Sequence, residues 1–382
     1  MIESGASDLM MAHQCCETRS AFGVFAASVL GLTLLAGCAS KPLVPYSLNE
    51  PAMVLVPARD AGVQDKRARF RQIFCAVLES HKEDLPDYRP CEKALTRVGI
   101  ESVPGTRPVN MAPSKRHLVA VMVPGFGYDC FAKFLESPKT VRSNLRASGY
   151  DLSMISVEGL SSTERNAGMI RDALMALPAQ AGEPRIVLVG YSKGMNDVLE
   201  ALVSYPEIRS RITAVVSVAG SIGGSPLAYE LDQDLAEWLR YFPGARCPEG
   251  DRGAVESLRP VIRRSWLASH PLPPDLPYYS LVTLPDRDRV SAILNHSYEK
   301  LASIDPRNDS QVIFYDQIIP GSSLVGYINA DHWAVALPIA RSHWFIASTF
   351  VTQNDYPREA MAEAILRFIE EDLDASDSLR TR

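Results

Sequence analysis

A serine between glycines follows directly on an apolar run. Ile186-Val187-Leu188-Val189 leads into Gly190-Tyr191-Ser192-Lys193-Gly194, and Met195-Asn196-Asp197-Val198-Leu199-Glu200-Ala201-Leu202 continues with helical character. A strand, a sharp turn and a helix in that order lift one serine above the end of a sheet, and Gly190 and Gly194 avoid the clashes that any Cβ would cause in so tight a turn. A serine hydroxyl is a weak nucleophile near neutral pH. It needs a base to take its proton and hydrogen-bond donors to hold the charge that develops on an attacked carbonyl oxygen. Ser192 is thus a candidate nucleophile, to be matched with a base, an acid and two donors.

The elements that must position these groups can be read from the apolar pattern. Runs of strand length lie at 117–123, 151–157, 185–189, 212–218, 278–284 and 323–328, separated by helical stretches and ended by glycine- or proline-marked turns. Such alternation indicates a mostly parallel sheet covered on both faces. Ser161-Ser162-Thr163-Glu164 is a capping box that opens a helix through about Leu177, where Pro178 stops it. The interval 223–277 is too long for a simple crossover, and its pattern predicts helices near 228–241 and 253–267. A last helix is expected over 357–373, and Phe70, Ile73, Phe74, Val77 and Leu78 recur at helical spacing upstream of the first strand.

The strand, G-x-S-x-G turn and helix resemble the α/β-hydrolase superfamily, in particular its lipases and esterases. The resemblance implies an α/β fold with a mostly parallel sheet, helices on both faces and a helical lid or cap formed by the insertion at about 223–277. It also implies two backbone donors for an oxyanion. One is the N–H of Lys193, directly after the nucleophile. The other is that of Phe126 in Val123-Pro124-Gly125-Phe126-Gly127-Tyr128-Asp129, where Pro124-Gly125 stands in place of the His-Gly of many lipases. That departure leaves the donor intact because the donor is backbone.

The family order of nucleophile, acid and base places the histidine after the last strand. His332, in Asn329-Ala330-Asp331-His332-Trp333 behind Leu324-Val325-Gly326-Tyr327-Ile328, meets this condition. His13, His81 and His117 precede the serine, His270 and His296 precede the final strand, and His343 lies beyond it. Asp305-Pro306-Arg307-Asn308-Asp309-Ser310-Gln311-Val312 resembles the Asn-Asp-x-x-Val loop in which lipases carry their acid, which points to Asp309. Asp305, Asp286 and Asp288 are rivals, and Asp331 suits a turn-forming role beside the histidine.

The implied activity is cleavage of carboxylic esters through a Ser-His-Asp acyl-enzyme mechanism, with no cofactor or metal. Apolar and aromatic residues of the insertion (Leu227, Tyr229, Leu231, Leu235, Trp238, Leu239) suggest a substrate with an apolar acyl group. A serine acyltransferase or peptidase would use the same triad. A non-enzymatic envelope lipoprotein is the other alternative, although a binding module has no need of nucleophile, base, acid and oxyanion loop together.

The ends of the chain carry other information. The 16 residues Ala21–Ala36 are apolar, follow Arg19 and end in Leu35-Ala36-Gly37-Cys38; this is too short to span a bilayer comfortably but suits a signal-peptide core. Leu-Ala-Gly-Cys resembles the bacterial lipobox, which implies a lipid on Cys38 and a lipid-anchored protein of the bacterial cell envelope, in contact with the membrane through its N-terminus. The acidic stretch before Arg19 would allow Met10 or Met11 as the true start. The expected organisation is a lipoprotein signal peptide (1–37), an extended tether (38–64), a short helical pre-domain (65–112), the hydrolase domain (113–373) and a polar tail (374–382).

Net charge is -6 for the whole chain, which argues against nucleic acid as a partner. The basic run Lys66-Arg67-Ala68-Arg69-Phe70-Arg71 reads as a solvated helix face. Beyond Cys15, Cys16 and Cys38, an even set of Cys75, Cys91, Cys130 and Cys247 suggests two disulfides in an exported chain, and four cysteines allow three pairings. None has zinc-ligand spacing. The fold that the resemblance implies brings Cys130 near Cys247, leaving Cys75 to pair with Cys91. Oligomeric state is not legible.

Overall fold

The computed structural model describes residues 61–103, 105–131, 139–177, 185–231, 247–248, 250–342 and 348–380, all within the compact unit 43–382. The leader, Cys38, most of the tether, Leu235, Trp238, Leu239 and His343 lie outside the described residues. Seven strands form one parallel sheet: β1 Gln64–Asp65, β2 Val119–Val123, β3 Asp151–Met154, β4 Ile186–Tyr191, β5 Ile212–Val218, β6 Tyr278–Thr283 and β7 Ser323–Ile328. Their spatial order is β1-β7-β6-β5-β4-β2-β3, so the chain crosses from the β1 edge to β2, steps out to β3 at the other edge and returns through β4, β5 and β6 to β7 beside β1, and every crossover carries helix. Six of the strands coincide, to within a few residues, with the apolar runs. The seventh, β1, is two exposed residues long and has no apolar run to betray it; it pairs Gln64 with Ser323 and Asp65 with Leu324.

Helices cover both faces. On one face, α1 (Arg67–Ser80), α2 (Lys139–Ala147) and the terminal α7 (Arg358–Arg380) pack on the sheet. On the other lie α3 (Thr163–Ala176), α4 (Lys193–Ser204) and α5 (Pro260–Ser269). The helical spacing at 70–78 has a direct physical outcome: Phe70, Ile73, Phe74, Val77 and Leu78 are all buried, each stabilising by roughly 1.5–3 kcal/mol relative to exposure. Phe70 meets Phe368 of α7 edge-on at 6.2 Å, so the upstream helix joins the main core. The outer face of α1 is not a bare cationic surface, because Arg67, Arg69 and Arg71 pair with Asp65, Glu371 and Glu101 at 2.6–2.8 Å.

Helix ends obey local rules. Ser162 caps α3 by accepting from the Arg165 N–H, and Leu177, the residue before Pro178, is extended as a pre-proline residue prefers. The terminal helix runs past the expected end at 373 to Arg380. Arg116 pairs with both Asp374 and Asp377 on the added turns, which ties residues of the expected polar tail to the start of β2. The short helix α6 (Asn295–Ala302) leads into the Asp309 loop. In the insertion, a 3-10 turn at Pro226–Tyr229, a helical turn at Ala254–Ser257 and α5 are described. Among the described residues no helix is long and apolar enough to cross a membrane.

Candidate functional site

All three candidate catalytic side chains project from loops at the carboxyl ends of the strands, where a parallel α/β sheet holds its ligands. Ser192 sits between β4 and α4 with φ 55° and ψ -130°, a backbone state that costs on the order of 1–3 kcal/mol and persists only when its surroundings enforce it. Those surroundings are visible. Ser192 N–H donates to Val218 O at 3.1 Å, and Ser192 O accepts from Met195 N at 3.0 Å and Ser221 N at 3.3 Å. A Cβ on Gly190 would lie 2.4 Å from Met195 Cα, and one on Gly194 would lie 2.3 Å from Val123 O. Both glycines of the motif are therefore required by close backbone approach.

Ser192 Oγ lies 2.8 Å from His332 Nε2, and His332 Nδ1 lies 2.7 Å from Asp309 Oδ2. His332 follows β7 and is 3% exposed, while Asp309 is wholly buried. The two loops are also joined through backbone, since His332 N–H donates to Asp309 O at 3.0 Å. Tyr191, directly before the serine, donates its hydroxyl to His332 O at 2.8 Å, so the strand that leads into Ser192 helps fix the histidine.

The rival acids are engaged elsewhere. Asp305 binds Arg307 through its side chain at 2.7–2.9 Å, and that hydrogen bond holds its carboxyl below the usual range. Asp286 and Asp288 are exposed. Asp331 closes the turn, accepting from the N–H groups of Ser291, Trp333 and Ala334 at 2.8–3.1 Å, and burial pushes its carboxyl up. Among the other histidines, His81 faces Glu363 at 3.0 Å and His270 stacks on Trp266 at 4.9 Å, both away from Ser192.

The loop after β2 meets Ser192 closely: a Cβ on Gly125 would lie 2.7 Å from Ser192 Cβ and 3.0 Å from Tyr191 O. Within the described residues, neither the Phe126 N–H nor the Lys193 N–H has an acceptor, so both candidate donors remain available. The Phe126 side chain packs against the cluster of Ala228, Val255 and Leu258 in the insertion, as does Leu231. Asp129 Oδ1 accepts from Gly159 N and Cys130 N at 3.0 Å, which fastens the loop to the one after β3, although burial raises the Asp129 carboxyl. Cys130 is bonded to Cys247, and Cys75 to Cys91, the pairing expected from the fold.

Beneath the turn, Lys193 Nζ reaches Asp197 Oδ1 at 2.7 Å, both side chains 1% exposed. Asp197 also accepts from Asn166 Nδ2 at 2.9 Å. Burial raises the Asp197 carboxyl against the opposing pull of Lys193. The lysine side chain is thus drawn into the interior while its backbone N–H stays at the helix start. Tyr191, Asp129, Asp197 and Asn166 were not singled out by sequence reasoning. The i, i+4 spacing of Lys193 and Asp197 is the only local signal among them.

Ser192, His332 and Asp309 thus lie in one hydrogen-bonded line beside two N–H groups that have no backbone acceptor among the described residues, an arrangement with the chemistry to transfer an acyl group. Among the described residues no cluster of three or more His, Cys, Asp or Glu could hold a metal ion. No protein-family model matches the chain, and no curated protein matches it. Among solved structures, the metagenomic carboxyl esterase MGS0156 is 40% identical, with a TM-score of 0.79 over 85% of this chain and 97% of that one. The mature lipase BlEst2 of Bacillus licheniformis is 24% identical over 59% of this chain and 89% of its own, TM-score 0.47. The Staphylococcus hyicus lipase is 11% identical over 70% and 99%, also with TM-score 0.47.

Proposed function

Because the chain belongs to the α/β-hydrolase family of carboxyl esterases that includes MGS0156, and is accordingly an ester hydrolase, we propose that Ser192, His332 and Asp309 cleave carboxylic esters through an acyl-enzyme. Ser192 Oγ adds to the ester carbonyl carbon as His332 Nε2 accepts its proton. The carbonyl oxygen becomes an oxyanion facing the N–H groups of Phe126 and Lys193. Collapse of the tetrahedral intermediate breaks the bond to the alcohol oxygen, which leaves with the proton from His332. Water, deprotonated by His332, then adds to the acyl-enzyme, and the acid departs as Ser192 regains its proton. Asp309 accepts from Nδ1 throughout, orienting the imidazole and stabilising the imidazolium.

The observation that carries this reading is the unbroken line from Ser192 Oγ to His332 at 2.8 Å and on to Asp309 at 2.7 Å. The apolar cluster of Phe126 with Ala228, Val255 and Leu258 supports an apolar acyl group held under the insertion. The protein is further proposed to act at the bacterial cell envelope, anchored by lipid on Cys38; mass spectrometry of the mature N-terminus would find a diacylated cysteine there, and an unmodified or differently cut N-terminus would refute it. Turnover of p-nitrophenyl esters of rising chain length tests the activity itself. Wild-type protein should hydrolyse them with a preference for acyl chains longer than acetate, and folded protein that hydrolyses none would overturn the reading.

A further inference from the structure

We propose that Thr283 and Gln317 are positioning residues that hold the Asp309 carboxylate on His332, an inference that rests on Asp309 being the acid of the Ser192 unit. Thr283 is the last residue of β6, and Gln317 ends the 3-10 turn Phe314–Gln317; both, like Asp309, are 0% exposed. An ionised carboxylate offers about four acceptor positions, and those of Asp309 are all taken. Oδ1 accepts from Gln311 N at 3.0 Å and Val312 N at 2.8 Å. Oδ2 accepts from His332 Nδ1 at 2.7 Å and from the Thr283 hydroxyl.

The direction of the Thr283 hydrogen bond follows from Gln317. The Gln317 amide NH2 is turned to two carbonyls, Thr283 O at 3.1 Å and Val312 O at 3.4 Å. Its Oε1 accepts from Thr283 N at 2.8 Å and lies 3.0 Å from Thr283 Oγ1. Reversing the amide would set NH2 against N–H and oxygen against two carbonyls. The group that Gln317 shows to the hydroxyl is therefore an acceptor. Thr283 has one hydroxyl proton and two oxygens within reach, and the charged one forms the stronger bond. The proton goes to Asp309, while Gln317 grips the Thr283 backbone at both its N–H and its C=O.

The consequence is mechanical. Two backbone N–H groups alone fix one carboxylate oxygen and leave the other steered only by the imidazole it is meant to orient. Thr283 supplies a second, independent constraint on Oδ2, so the carboxylate keeps its aim when His332 moves its proton to and from substrate. Gln317 keeps that constraint in place.

A double-mutant cycle on the full chain separates this role from simple core packing. Thr283→Val, nearly isosteric, should lower kcat about 10- to 100-fold, the loss expected for one hydrogen bond to a charged group, with KM changed less than about threefold. Thr283→Ser should restore most of kcat. In an Asp309→Asn background the same Thr283→Val change should cost less than about twofold, because the partner it acts through is gone. Multiplying effects, or a Thr283→Val enzyme within twofold of wild-type kcat, would overturn the proposal. Should Thr283→Val not fold, Thr283→Ala completes the cycle, and failure of both to fold would assign Thr283 to the core and overturn it too. If instead Asp309→Asn alone keeps near-full activity, it is the acid assignment that fails.

Discussion

The two sides of Ser192 are built in opposite ways. On the Asp309 side, Asp309, Thr283 and Gln317 are fully buried, every acceptor position of the carboxylate is filled, and the hydrogen bonds come from three separate segments. On the Phe126 side, the loop from Pro124 to Cys130 is fastened at its far end, by Asp129 to Gly159 and by Cys130 to Cys247, while among the described residues the N–H groups of Phe126 and Lys193 have no backbone acceptor. The difference matches what each side is proposed to do. The acid must hold one geometry through the whole cycle, so saturation serves it. The donors must receive a charge that exists only after attack, so any ground-state partner would compete with the transition state.

That contrast can be broken from either side. His332→Ala should abolish nearly all turnover, a loss on the order of 10⁶-fold in kcat, because both sides converge on the proton transfer it mediates. Asp309→Asn should cost roughly 10⁴-fold, measured with the same p-nitrophenyl ester, whereas Asp305→Asn, whose carboxylate serves Arg307, should stay within about threefold of wild type. Near-equal losses at the two positions would erase the distinction drawn between them. On the other side, Gly125→Ala forces a Cβ to 2.7 Å from Ser192 Cβ. Displacing the loop should then remove one donor, about 10²–10³-fold in kcat, without unfolding the protein in a thermal melt. The smallest effects distinguish the disulfides. Cys130→Ser with Cys247→Ser should lower kcat several-fold by loosening the strapped loop. Cys75→Ser with Cys91→Ser should leave kcat unchanged and lower stability by about 2–4 kcal/mol in denaturant titrations.

The same asymmetry explains what could be read from the residues alone. Strands of the central sheet announce themselves because both faces are buried and the runs must be apolar, as in Ile212–Val218. The turn at Ser192 is legible because close backbone approach admits only glycine at 190 and 194. Asp309 could be placed by the motif around it, and its neighbours could not. A threonine at the end of a β-strand is ordinary, and nothing local distinguishes Thr283 from Ser280, which bonds instead to Ser322. Gln317 is 34 residues from the backbone it grips, a contact set by tertiary structure. Likewise β1 was hidden because two exposed residues carry no period, and the last turns of α7 because their anchor, Arg116, lies some 260 residues upstream.

Intact-protein and peptide mass spectrometry after reaction with a fluorophosphonate bears immediately on the role proposed for Ser192, since that reagent reports the nucleophile and its activation in one experiment. One phosphonyl group per chain is expected, carried on Ser192, formed far more slowly in His332→Ala and not at all in Ser192→Ala, which should also lose esterase turnover. Modification of another residue, or a folded Ser192→Ala protein that still hydrolyses esters at the wild-type rate, would contradict it.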